Sequence, residues 1–348
     1  MKKALFMMAA IAAMACSCNP DSDCLPCQKE DQNEATLEVN LDFEDDQTKA
    51  TSYVTAQAYE TAVNDVQILV FDASGMLNAY VDAGTKTGSI SIKTTAGTKT
   101  VWGVVNGPDL SAITTLSALE NTAITLAANS TTSTKGFVMA GSVSCNAGGT
   151  SSLASVPVRR MVSRIALQKV TNSLPASYGS ITINNVILTN VVGNQNIAGN
   201  AAITTWYNKA GRKEGSDNII DGTNNLATCP ELTFKSVGTA IANGKDLTPT
   251  TPYLFYCYPN STTTDATGWS STFTARKTRL VVAATIAGKK YYYPVVLDTP
   301  ARNTAYTVEL TISGLGATDP DYPVETAAIT GSVTVQGWST GTVYEETI

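Results

Sequence analysis

Histidine is absent from this chain, and its absence decides most of what the reactive side chains can do. Without an imidazole, the commonest general base and the commonest metal ligand are both missing. No serine or cysteine has a histidine to activate it, and no glycine-rich loop has the spacing that cradles a phosphate. The thiols remain. Of seven cysteines, four (Cys16, Cys18, Cys24 and Cys27) lie before Lys29. Cys24-Leu-Pro-Cys27 has the spacing of a redox pair or half a zinc site, but no second pair completes a four-ligand set. It reads as part of a tether. Cys145, Cys229 and Cys257 form an odd remainder that cannot pair completely within one chain. The sequence therefore predicts no catalytic residue, no metal site and no cofactor, and the chain is not expected to be an enzyme.

One cysteine has a chemical context. Lys2 and Lys3 precede a short apolar run, Ala4 to Ala15, which ends in Ala13-Met14-Ala15-Cys16. A basic end, an apolar stretch too short to span a bilayer and a small-residue junction make a signal peptide. A cysteine at that junction resembles a bacterial lipobox, where the thiol is lipidated and the residues before it are removed. Cys16 is the expected lipidation site, with Cys18 the competing one, and a polar tether from Asn19 to Glu34 follows.

The other bond expected to react is Lys49–Ala50. It lies after an acidic run (Glu44, Asp45, Asp46) in a stretch poor in apolar residues, the kind of exposed loop in which proteases cut folded chains. The preceding stretch alternates strictly. Leu37, Val39, Leu41 and Phe43 share one face, and Glu38, Asn40 and Asp42 share the other, the period of a strand with one buried side. Leu37 to Phe43 would extend about 23 Å. Cutting after Lys49 would release that strand and leave a groove in the sheet it had been filling. The plainer alternative is an ordinary first strand followed by an ordinary loop.

Three further clusters read as structural. Arg159, Arg160 and Arg164 interrupt apolar positions and are expected to face outward beside carboxylates. The tyrosine runs Tyr253–Tyr258 and Tyr291–Tyr293 suit core and edge packing better than a sugar platform. Asp42, Glu44 to Asp46, Asp319 and Asp321 lack calcium-loop spacing and read as solvated turns. The net charge of −6 disfavours nucleic acid as a partner.

The elements behind these residues are strands. Of 348 residues 43% are hydrophobic and only 15% charged, and short apolar runs recur between Gly, Asn, Pro and Thr. Val63 to Asp72 is almost continuously apolar, which predicts burial on both faces. Lys99 to Asn106, Phe137 to Gly141 and Ser152 to Val158 are further strands. Asp109 to Leu126 is a possible helix, and Val158 to Val170 reads as one long strand. A turn near Asn172-Ser-Leu-Pro175 suggests a domain boundary. Beyond it, a polar excursion covers Gly193 to Asn225, a hairpin is expected around Gly288-Lys289, and Asn303 to Ser313 alternates cleanly. Two last strands, Thr330 to Gln336 and Thr342 to Ile348, flank Gly337-Trp338. The expected fold is all-β, two tandem antiparallel β-sandwich domains. The divisions are 1–15 (signal peptide), 16–49 (tether and removable first strand), 50–172 (first sandwich) and 173–348 (second sandwich with its tail).

With these features in order, the chain resembles the fimbrillins, the type V pilins. The resemblance rests on the lipobox, the alternating first strand, Lys49-Ala50 and the strand ending Val70-Phe71-Asp72. It extends through Arg160-x-x-x-Arg164, Tyr291-Tyr292-Tyr293-Pro294-Val295, Arg302-Asn303-x-x-Tyr306, Leu310-Thr-Ile-Ser-Gly314 and Val333-x-Val335 leading into Trp338. It implies transthyretin-like sandwiches, export as an outer-membrane lipoprotein, a trypsin-like processing protease, and polymerisation by strand exchange with copies of itself or related fimbrial subunits. The family's best-known cut follows arginine, whereas Lys49 stands here. The displaced strand would be Leu37, Val39, Leu41 and Phe43. The donor would come from the tail, among Val333, Val335, Trp338, Val343, Tyr344 and Ile348, with the choice between its two strands open. A tethered surface lipoprotein or a tip adhesin binding glycan or host protein is the competing reading.

Overall fold

The structure is a computed structural model that describes residues 34–43, 56–148, 152–210, 229–266, 273–322, 329–337 and 344–347. Its first half contains β1 (Glu34–Phe43), β2 (Val66–Asp72), β3 (Leu77–Gly84), β4 (Ile90–Thr95), β5 (Gly97–Val105), β6 (Ala123–Thr125), β7 (Met139–Ala147) and β8 (Ser152–Arg160). One layer is ordered β3-β2-β5-β7, and the other β8-β1-β4. They join at a corner where β7 pairs with β8 through Met139–Arg160 and Ala140–Arg159. Leu37, Val39 and Leu41 of β1 meet Val66, Ile68 and Val70 of β2 in the core between the layers. Leu69 and Phe71, on the opposite face of β2, enter a second core. Both faces of β2 are therefore buried, as its unbroken apolar run predicts.

The second half contains β9 (Ser163–Asn172), β10 (Ile181–Thr189), β11 (Val191–Val192), β12 (Asn194–Asn196), β13 (Trp206–Tyr207), β14 (Phe234–Ile241), β15 (Asp246–Leu247) and β16 (Tyr253–Cys257). It continues with β17 (Arg279–Ile286), β18 (Lys289–Val296), β19 (Thr304–Ile312), β20 (Ile329–Gly337) and β21 (Tyr344–Thr347). One sheet runs β14-β10-β17-β18. The other has β9 and β19 at its centre, β15 and β16 on one side and β20 then β21 on the other. The fold is all-β and made of sandwiches, as expected.

The two halves repeat one topology. The order β3-β2-β5-β7 is matched by β14-β10-β17-β18, and β4-β1-β8 by β15/β16-β9-β19. In each half the first strand lies parallel to the last: β1 beside β8 and β9 beside β19. These two parallel ladders depart from the wholly antiparallel sandwiches expected. The tail strands β20 and β21 extend the second half beyond the repeat, and among the described residues β8 has no counterpart to them.

Several local expectations change. The long strand expected over Val158 to Val170 is two strands, because buried Met161 and Val162 carry the chain from one sandwich to the other. Every ladder partner of β9 lies in β15, β16 or β19, so a division after Asn172 would cut β9 from its own sheet. The helix considered over Asp109 to Leu126 is one short turn, α1 (Leu116–Glu120), followed by β6. Its start is capped by the Thr115 side chain, which accepts from the Ala118 N–H. The β17–β18 turn is Ala287-Gly288 rather than Gly288-Lys289. Both residues have positive φ (47° and 78°), as a two-residue turn of the twist-matching kind requires.

Candidate functional site

The first strand occupies an interior place. β1 pairs in parallel with β8 from Leu37–Ser152 to Phe43–Val158, and antiparallel with β4 from Glu34–Thr95 to Val39–Ile90. Its inward residues follow the predicted period. Leu37 and Val39 are fully buried and Leu41 is 8% exposed, while Phe43 is half-buried where the strand leaves the sheet. On the outward face Asn40 is half-buried and Asp42 exposed. Glu38 accepts a hydrogen bond from Ser89 Oγ at 2.9 Å. Hydrogen bonds from Ser91 and then Ser89 lower the Glu38 pKa. Burying Leu37, Val39 and Leu41 stabilises β1 by about 1.5–3 kcal/mol for each side chain. Removing β1 would open a slot between β8 and β4 with unpaired backbone on both walls. Phe43, Val63, Met139, Val158 and Arg160 line a cavity of about 230 Å³ at the end of that slot.

Two buried charge clusters bracket the chain between the first strand and the tail. Shortly after β1, the turn Ala58–Glu60 buries Glu60 completely. Glu60 Oε2 accepts from Arg164 Nη1 at 3.1 Å and from the Gln57 backbone N–H at 2.9 Å. Tyr256 O–H donates to Oε1 at 2.6 Å, and Arg160 Nε donates to the Glu60 carbonyl at 2.7 Å. Burial, ahead of the Glu60 charge, holds Tyr256 well above the ordinary phenol pKa, which keeps it a donor. Arg160 and Arg164 are 3% and 4% exposed, so the outward orientation expected for them is wrong. They point inward because Glu60 comes from another element to meet them. Only Arg159 of the three is exposed.

The second cluster precedes the tail. Asp321, expected in a solvated turn, is fully buried and accepts from Arg276 Nη1 at 2.6 Å and from Arg279 Nη1. Nearby, Tyr293 O–H donates to the Gly314 carbonyl at 2.9 Å and Tyr292 exchanges two backbone hydrogen bonds with Ala317. The loop after β19 is thereby clamped to the edge of β18. Removing one partner from such a buried pair costs about 3–5 kcal/mol, because it strands the other charge.

The halves are joined by more than the linker. One hydrophobic core draws Trp102, Phe137 and Val138 from the first and Phe255, Tyr256 and Val308 from the second. β6 pairs with β12 across the joint. Arg302 Nη2 donates to the carbonyls of Ala140 (2.9 Å) and Arg159 (3.1 Å), and burial lowers its pKa to about 10. Tyr256, Tyr258 and Tyr293 are buried, as the core reading of the tyrosine runs requires.

The remaining residues singled out by sequence are not gathered into one site. Val333 lies in β20, 7% exposed, in the core of the second half. Val335 and Tyr344 lie on β20 and β21. Cys16, Lys49, Ala50, Trp338, Val343 and Ile348 fall outside the described residues. Sequence reasoning missed Glu60 and placed Asp321 in a solvated turn. Their only signal was arginines among apolar residues with no carboxylate at strand spacing.

Residues 35–155 match the family model described as the major fimbrial subunit protein (FimA). That span runs from β1 through β7 into the first residues of β8, most of the first sandwich. Over those residues the chain is similar to the fimbrillin family. A fimbrillin from Porphyromonas gingivalis has the same fold at a TM-score of 0.59 and 12% identity, covering 88% of this chain and 98% of its own. The tip fimbrial protein Mfa3 of the same organism aligns at 0.51 and 15%, covering 86% and 99%. A Parabacteroides distasonis protein, provisionally named for cell adhesion, aligns at 0.62 and 15%, covering 89% and 99%. No curated protein matches the sequence. At these identities the solved structures speak for the fold, and the family match supports a structural role in a fimbrium or in adhesion.

Proposed function

We propose that this chain is a shaft subunit of a cell-surface fimbrium, stored as a lipidated precursor and polymerised by strand exchange. Cys16 carries the lipid that holds the precursor at the outer membrane. A trypsin-like protease cuts between Lys49 and Ala50 and releases β1. The tail of a second copy then fills the slot between β4 and β8. The observation that carries this reading is the interior position of β1. Its loss leaves two unpaired strand edges and an apolar trough, the template that donor strands complete.

The repeat supports the tail as donor. Strands β1 to β8 and β9 to β19 account for both sandwiches, and β20 and β21 are additional to them. The charge clusters support the division of labour. Glu60 fixes the chain just after the removable strand, and Asp321 fixes it just before the tail. A head-to-tail contact of this kind does not close and gives a filament.

Mass spectrometry of protein shed from the cell surface tests the proposal. An N-terminus at Ala50 is expected. A retained, lipidated Cys16 or Cys18 on the mature protein would overturn the shaft reading and favour the permanently tethered one.

A further inference from the structure

The facing wall of the slot contains a glycine that the backbone does not require. Gly103 lies mid-strand in β5, paired with Ile68 on one side and Gly141 on the other, and it is not among the residues with positive φ. Glycine inside a strand weakens it and often marks a place where another group approaches closely. Here that group is Leu41. A Cβ on Gly103 would lie 2.7 Å from Leu41 Cδ2, and 3.5 Å from both Val156 Cγ1 and Val158 Cγ2. Val101 and Val105, two residues away on either side, fill the same face of β5, so the missing side chain leaves one hollow in an otherwise continuous wall.

We propose that Gly103 forms the selectivity pocket of the slot, and that its occupant after processing is a branched aliphatic side chain, Val333, on β20 of a second copy. The proposal rests on the strand-exchange reading and adds to it which residue sets the register. A strand entering the slot must present apolar groups at every second residue, and a one-residue slip would turn them all away. In the sequence of β20, Ile329, Gly331, Val333 and Val335 stand at every second position and alternate with Thr330, Ser332, Thr334 and Gln336. Set in the direction of β1, the first group covers the sites of Leu37, Val39, Leu41 and Phe43. Val333 then stands over Gly103. The sequence of β21, Tyr344-Glu345-Glu346-Thr347, has no such run of alternating apolar residues.

The test has two arms. In the first, Gly103→Ala is made in the precursor with Leu41 present and again in a Leu41→Ala background, and thermal midpoints are compared. The pocket predicts a reversal of sign: the added methyl lowers the midpoint by several degrees against Leu41 and raises it where Leu41 has been truncated. An equal shift in both backgrounds would overturn the pocket. In the second, the volume-swapped precursor Gly103→Leu/Leu41→Ala is processed and its assembly rate measured. Processing removes residue 41, so the matured groove differs from wild type only in being filled from the β5 side. Extension is expected to slow at least tenfold. Wild-type assembly after a clear sign reversal would overturn Gly103 as the selectivity pocket, while strand exchange itself would still stand or fall on the N-terminus of the shed protein. Loss of the reversal alone leaves the strand-exchange reading standing.

Discussion

Replacing Leu41 by aspartate in the precursor strikes β1 at its most consequential inward position. The leucine is 8% exposed and its terminal methyl faces the hollow at Gly103 between Val156 and Val158. Losing its burial costs about 2 kcal/mol. Placing a carboxyl there with no hydrogen-bond partner costs about 2–7 kcal/mol more. The sum approaches the whole stability of an ordinary domain, so β1 should leave its slot rather than hold a buried carboxylate. At about 2–4 °C per kcal/mol for a unit of this size, the midpoint should fall by about 10 °C or more. The pH dependence has a definite sign. Burial raises the pKa of the new carboxyl above its unfolded value, so the penalty is smallest below the ordinary aspartate range near about 4 and grows as pH rises through it. Asn40→Ala, on the opposite face and half-buried, should shift the midpoint by only about a degree or two. Differential scanning of both variants, before and after processing, is the assay. After processing the two should be identical. A Leu41→Asp precursor no less stable than Asn40→Ala would refute the claim that β1 is a buried placeholder.

Three further outcomes follow from the same reasoning. Lys49→Ala should leave a lipidated precursor that does not polymerise, and filaments formed at the wild-type rate would count against Lys49 as the cleavage site. Deleting Ile329 to Ile348 should give a processed subunit that folds but does not extend filaments, whereas undiminished assembly would place the donor elsewhere. Glu60→Ala should destabilise precursor and processed protein alike by about 3–5 kcal/mol, because it strands the buried Arg164. Chemical denaturation of both forms checks this, and an effect confined to the precursor would show that the cluster serves β1 rather than the joint.

Local pattern was legible where one face is wet or both are dry. β1, β2 and β19 declare themselves by alternation or by an unbroken apolar run, and the side chains of β1 point where their spacing says. What sequence could not supply was pairing across distance. Strand β1 lies parallel to β8, more than a hundred residues away, and β9 to β19 likewise. No turn chemistry announces a parallel ladder, and the connection is too long to fix register locally. The same blindness sent Arg160 and Arg164 to the surface. An arginine amid apolar strand residues is legible as buried only when its carboxylate is known, and Glu60 arrives from a turn a hundred residues earlier. Asp321 was misread for the complementary reason, since its arginines lie more than forty residues before it.

The repeat gives the proposed filament its polarity. Both halves begin with a strand that lies parallel to the last strand of its sandwich, so either half has the topology of an acceptor. Only one can be emptied. In the proposed processing a single cut after Lys49 frees β1. β9 follows β8 through the buried pair Met161-Val162, carries Arg164 into the Glu60 cluster, and has ladder partners on both sides along the sheet. A cut before β9 would sever the two sandwiches, and its removal would take the Glu60 partner with it. The second half is therefore permanently filled, and it carries the two additional strands. In the proposed filament one subunit offers one slot at its first sandwich and one tail at its second. Such a unit can add only head to tail, and each addition recreates the same slot and tail at the ends of the chain.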